Sequence, residues 1–114
     1  MIIVRDTEDL AGDMASIAAM AAGLEPMETK SWIWADFVAT GGAHKLLIAT
    51  TRRGLTGPFQ LEALRAQGLK IAAFGLPDLK SIVDFSIELD DIEQLLDVIA
   101  RVYGQKVEVE TLEI

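Results

Sequence analysis

The fold is decided by Lys45–Gly75, "KLLIATTRRGLTGPFQLEALRAQGLKIAAFG". Lys45–Thr51 is an apolar run that stops at a loop holding arginines, threonines and glycines. The run reads as a strand. Pro58 suits the first turn of a helix, because its ring presets φ and its missing N–H has no intrahelical partner there. Thr56 or Gly57 takes the cap. Phe59, Leu61, Ala63, Leu64 and Ala66 continue the helix, and Gly68 closes it. Leu69–Phe74 is a second near-continuous apolar run. Two such runs around one helix make a βαβ unit whose parallel sheet is covered on both faces.

The same alternation extends in both directions. Ile2–Val4 reads as a first strand. Asp6 or Thr7 caps a helix over Glu8–Ala22, with Leu10, Met14, Ile17, Ala18 and Ala21 at helical spacing and Gly23 as its stop. Its many alanines allow close approach of another backbone, either the sheet beneath it or a second helix in a dimer. Met27–Lys30 reads as a short strand. "SWIWADFVATGG" (Ser31–Gly42) fits a strand with Trp32 and Trp34 on one face. It also fits a helix capped by Ser31, with Trp34, Phe37 and Val38 buried. The balance falls to a short strand before Ser31 followed by a helical turn. After the central unit, "GLPD" is a turn and Phe85–Leu89 a strand. Asp90 caps a last helix carrying Ile92, Leu95, Leu96, Ile99 and Val102 on one face. "KVEVETLEI" (Lys106–Ile114) alternates and is acidic, as an edge strand would be. The expected architecture is one α/β domain over residues 1–114. It is a three-layer sandwich with a mainly parallel, Rossmann-like or flavodoxin-like sheet and a C-terminal edge strand.

Composition bounds the function. A chain of 114 residues with 51% hydrophobic and 25% charged residues is an ordinary globular domain. Eighteen acidic against ten basic residues give a net charge of −8, which repels a nucleic-acid backbone or an anionic membrane surface. With no cysteine and one histidine, disulfides, thiolate chemistry and a zinc site are not expected. No apolar run approaches the roughly 20 residues that span a bilayer. The opening "MIIVRDTEDL" lacks the layout of a signal peptide. The expected location is the cytoplasm, and no cofactor is indicated.

The candidate site is the Thr50–Gly57 loop, at the carboxyl end of a parallel strand and just before a helix, where open α/β sheets bind ligands. Helix N-termini attract anions. Gly54 and Gly57 let the backbone approach a ligand. Thr51 and Thr56 offer hydroxyl groups. Arg52 and Arg53 each present a planar fork to phosphate or carboxylate. The loop lacks GxxxxGK[ST], so it is not a nucleotide P-loop. The plain alternative is that one arginine pairs with Asp78 or Asp84 and the other is solvated. His44 follows a Gly-Gly turn and is expected at the surface. Asp90 and Asp91 are explained as helix-opening residues.

"LLIATTRRGLTGPFQLEALRAQGLKIAAFG" with the following "DLKSIVDFSIEL" resembles the central part of the sugar isomerase domain family, over roughly residues 45–89. That family has a strand ending in a Ser-x-Ser-Gly-x-Thr loop, a helix, a second strand and then an Asp before the next strand. Here Thr51 stands for the first Ser and Arg53 for the second, Gly54 and Thr56 match, and Asp84 falls at the later Asp. The family's first glycine-rich loop has no counterpart in "VRDTEDLAGD". The resemblance implies a phosphorylated-sugar site at Thr51, Arg53, Gly54 and Thr56.

Three functions are therefore compatible with the sequence. One is a binding module for a small anionic, phosphorylated metabolite at Thr51, Arg52, Arg53, Gly54, Thr56 and Gly57. Another is a structural or regulatory homo-oligomer built on the alanine-rich helix, the tryptophans or the edge strand. The third is a sugar-phosphate isomerase-like enzyme. Whichever applies, a homo-oligomer is expected.

Overall fold

A computed structural model describes residues 1–40 and 44–104. Among the described residues, five strands and four helices alternate: β1 Ile2–Val4, α1 Leu10–Ala21, β2 Met27–Thr29, α2 Trp32–Ala39, β3 Leu46–Ala49, α3 Pro58–Ala66, β4 Lys70–Phe74, β5 Phe85–Ile87 and α4 Ile92–Tyr103. A short 3-10 turn, Pro77–Leu79, follows β4. The strands form one parallel sheet in the order β2-β1-β3-β4-β5, so the expected α/β sandwich of flavodoxin-like type is the fold. The expected edge strand in Lys106–Ile114 lies outside the described residues.

Strand alternation sorts the apolar residues into two cores. Ile3, Leu46, Ile48, Ala72, Phe74 and Ile87 face one side, against Ala15, Ala18 and Ala19 of α1 and Leu95, Val98 and Ile99 of α4. Ile2, Val4, Leu47, Ala49 and Ile71 face the other side, against Trp32, Ala35 and Ala39 of α2 and Leu61 and Leu64 of α3. All residues of β1 and β3 are buried, which explains their unbroken apolar sequences. The alanine face of α1 is occupied inside the domain, on the sheet and beside α4.

Leu95 is fully buried where α4 meets the sheet. Leu95→Ala is expected to cost about 3 kcal/mol, the cavity left being only partly refilled. A urea-melt loss below about 1 kcal/mol would misplace this core.

Three local expectations need correction. In α2 the buried face is Trp32, Ala35 and Ala39; Trp34 is 60% and Phe37 76% exposed, and only Val38 of the expected stripe is partly buried. The helix does begin at Ser31, whose hydroxyl accepts from the Ile33 N–H. The cap of α1 is Asp9, not Asp6 or Thr7, with its carboxylate accepting from the Ala11 N–H. The intervening backbone is held by Arg5, which is 8% exposed. Its guanidinium donates to the carbonyls of Asp6, Thr7 and Asp9 and pairs with Asp13 at 2.7 Å. Arg5 occupies the space above Gly12, where a Cβ would lie 2.7 Å from its Nε. The cap of α4 is Asp91 rather than Asp90, through the Gln94 N–H.

Candidate functional site

The chain reverses its direction of strand addition between β1 and β3, which are neighbours in the sheet. The segments leaving their carboxyl ends therefore run to opposite faces and open a crevice between them. Its walls are the Arg5–Asp9 segment after β1, Thr29 and Lys30 at the end of β2, and the Thr50–Gly57 loop after β3.

Hydrogen bonds tie these segments together. The Thr50 N–H donates to Val4 O at 2.9 Å, and the Thr50 hydroxyl donates to the Asp9 carboxylate at 2.5 Å. The N-terminus of α2 holds the loop from the other side. The Trp32 indole N–H donates to Thr51 O at 2.8 Å, and the Trp32 backbone N–H donates to Arg53 O at 2.8 Å.

The structure separates the six loop residues by role. Thr51 is buried, and its hydroxyl accepts from the Arg53 N–H. Arg52 and Arg53 diverge. Arg52 pairs with Asp78 of the 3-10 turn, and Arg53 Nε pairs with Asp6 at 2.9 Å. Gly54 has φ +81°, and a Cβ there would lie 2.1 Å from the Ser31 hydroxyl oxygen. Its missing side chain thus makes room for α2 rather than for a ligand. Gly57 is extended, and a Cβ there would meet open space. Thr56 is exposed, but its N–H is taken by the Gln60 carboxamide oxygen at 2.6 Å, while the Gln60 amide donates to Gly54 O. The N–H groups of Arg53, Leu55 and Thr56 are all turned onto the loop's own oxygens or Gln60.

One open cavity lies in the crevice and a second adjoins it between α1 and the end of β2. One, of about 490 Å³, is lined by Asp6, Thr7, Glu8, Lys30 and Arg53. The other, of about 700 Å³, shares Asp6, Thr7 and Lys30 and extends along α1 past Ile17 and Met20. Arg53 is the loop residue that enters this space. Lys30, Asp6 and Thr7 join it from elements that sequence reading did not connect to the loop. Lys30 has no ion-pair partner among the described residues. The carboxylate anticipated near the loop is Asp78. Asp84 lies at the amino ends of β4 and β5, the far end of the sheet from the loop, accepting from the Ile71 N–H and from Arg65.

His44 is also remote, at the amino end of β3. It is half-buried rather than fully exposed and is hydrogen-bonded to the Met1 amino group at 3.0 Å. Burial, and then the neighbouring ammonium, hold its pKa below the ordinary histidine value. No group of three or more His, Cys, Asp or Glu side chains converges as a metal site among the described residues. None of the described helices is long and apolar enough to cross a membrane.

Comparison with protein-family models, curated proteins and solved structures finds no match for this chain.

Proposed function

We propose that the protein binds a small anionic, phosphorylated metabolite in the crevice between the Arg5–Asp9 and Thr50–Gly57 segments. The carrying observation is that Arg53 and Lys30 line one cavity at the carboxyl ends of parallel strands. Lys30 and Arg53 face Asp6 and Glu8 in this pocket, so an anion is held there by direct contact with the two cationic side chains rather than by a net positive field.

The Arg53–Asp6 pair does not block this use. Its side chains are 68% and 41% exposed. Exposed pairs are worth about 0–1 kcal/mol, so a dianionic phosphate can displace Asp6. Arg53 supplies a planar fork and Lys30 a mobile point charge. Arg52, engaged with Asp78, is the reserve contact. The phosphorylated sugars implied by the family resemblance belong to the same ligand class.

Inorganic phosphate or a sugar phosphate at a hundred times its Kd is expected to stabilise the fold by about 2.7 kcal/mol, read as a higher Tm. Arg53→Ala should remove that gain and leave the unliganded Tm nearly unchanged, because the lost pair is exposed. Absence of stabilisation by every member of a phosphorylated panel would refute the reading.

A second reading, a homo-oligomer, is favoured by a different observation. Ile33, Trp34 and Phe37 on α2 and Phe59 on α3 are 60–85% exposed, and Ile33 and Phe59 line one groove between the helices. Aromatic side chains cover roughly 150–250 Å² each, so this face reaches the range of functional apolar patches. On this reading, light scattering at micromolar concentration gives a mass above that of one chain, and Phe37→Asp returns it to the monomer value. A monomer mass for the unaltered protein would remove the reading.

A further inference from the structure

The cavity that holds Arg53 has a larger neighbour along α1. Both cavities are lined by Asp6, Thr7 and Lys30, so they adjoin each other across these three residues. The larger one carries the Arg5–Asp13 ion pair and, beyond it, an apolar stretch of α1. Ile17 and Met20, 62% and 56% exposed, stand one turn apart on α1 and form an apolar wall. Neither belongs to the apolar cores of the domain. Opposite them, Glu28 projects from the exposed edge strand β2 and has no hydrogen-bond or ion-pair partner among the described residues. The Ser16 hydroxyl lines the same end.

From this arrangement, and resting on the anion reading above, we infer that the ligand is a nucleoside monophosphate or a compound of that build. It has a phosphate at one end and a flat ring with N–H or O–H donors at the other. The phosphate sits between Lys30 and Arg53. The ring lies against Ile17 and Met20, where the polarisable thioether of Met20 is a favourable partner for an aromatic face. Glu28, an acceptor only when ionised, takes hydrogen bonds from hydroxyl or amino groups. A simple sugar phosphate fills the cavity lined by Lys30 and Arg53 and leaves the apolar wall wet. Each cavity, at about 490 and about 700 Å³, falls in the range of small-molecule sites.

Isothermal titration of the full chain with inorganic phosphate, ribose 5-phosphate, AMP and adenosine tests both levels of this assignment. AMP is expected to bind about tenfold or more tighter than ribose 5-phosphate, because the ring removes Ile17 and Met20 from water. Ile17→Ser with Met20→Ser should bring AMP down to the ribose 5-phosphate affinity and leave the latter unchanged. Both side chains are exposed, so the fold should survive the change. Arg53→Ala should weaken AMP and ribose 5-phosphate alike. Equal affinity of the unaltered protein for AMP and ribose 5-phosphate would overturn the two-part ligand while sparing the anion site. Equal affinity for AMP and adenosine, or no binding by any phosphate compound, would overturn the anion site and the inference with it.

Discussion

Replacing Trp32 with alanine is expected to remove about 5 kcal/mol of stability, a large share of the roughly 5–15 kcal/mol typical of a domain. Trp32 is 2% exposed and central to the core between the sheet and the α2–α3 layer. Truncating a buried tryptophan costs about 3–5 kcal/mol through lost burial and the cavity left behind. The indole also donates to Thr51 O in a buried hydrogen bond. Leaving that carbonyl unpaired adds about 1–3 kcal/mol. Trp32→Phe separates the two contributions, since it keeps much of the ring and loses the donor. Urea melts should place it about 1–3 kcal/mol below the unaltered protein. A loss under about 2 kcal/mol for Trp32→Ala would mean that α2 does not anchor this half of the molecule. Both variants should also loosen the crevice, because the indole holds the loop that carries Arg53.

The second large effect is expected at Gly54. Alanine there meets two penalties at once. The backbone φ of +81° costs a residue with a Cβ about 1–2 kcal/mol. The Cβ would also lie 2.1 Å from the Ser31 hydroxyl oxygen and 3.2 Å from the Ile33 nitrogen, and overpacking of this kind costs about 1–3 kcal/mol. Gly54→Ala should therefore lose about 3–4 kcal/mol, a fall in Tm of about 12–16 °C for a domain of this size. Ser31→Ala alone removes a helix cap worth about 1 kcal/mol. In that background the hydroxyl is gone, and the cost of Gly54→Ala should fall by about half. An unchanged cost in the double-mutant cycle would show that the two residues do not meet.

These residues also show what sequence can and cannot convey. The βαβ unit at Lys45–Gly75 was legible because both strands are buried on both faces, which forces apolar runs, and because Pro58 and Gly68 mark the helix ends. Alternating strands and helices then led to the fold class. The face of α2 was not legible. Its eight residues, "WIWADFVA", include one charge, so no polar side phases the helical period. The length of the turn into α1 was hidden for another reason. Asp6, Thr7 and Asp9 are all good caps locally, and the buried Arg5 decides among them by binding the carbonyls of the segment.

At the candidate site, the loop was legible and its surroundings were not. A glycine beside two arginines suggests backbone approach to a ligand, whereas Gly54 answers to Ser31, more than twenty residues earlier. That Arg52 and Arg53 part company could be anticipated from their adjacency. That Arg53 meets Asp6 and shares a cavity with Lys30 depends on β1 lying between β2 and β3, which no local pattern encodes. Asp84 matched a motif by spacing but sits at the amino end of its strand, across the sheet from the loop.

The central place of β1 has a consequence for synthesis. On the ribosome, Ile2–Val4 emerges long before Leu46–Ala49, its partner on one side. A nascent chain carrying β1, α1 and β2 holds an apolar strand with one edge unpaired and one face uncovered until α2 and α3 follow. Such edges recruit other chains, and long-range parallel pairing forms slowly. The interval between translation of β1 and docking of β3 is therefore when the protein is most exposed to aggregation and to capture by chaperones. Slowing elongation between residues 30 and 60 should lower the native yield more than slowing it after residue 90, when β1 to β5 are already made.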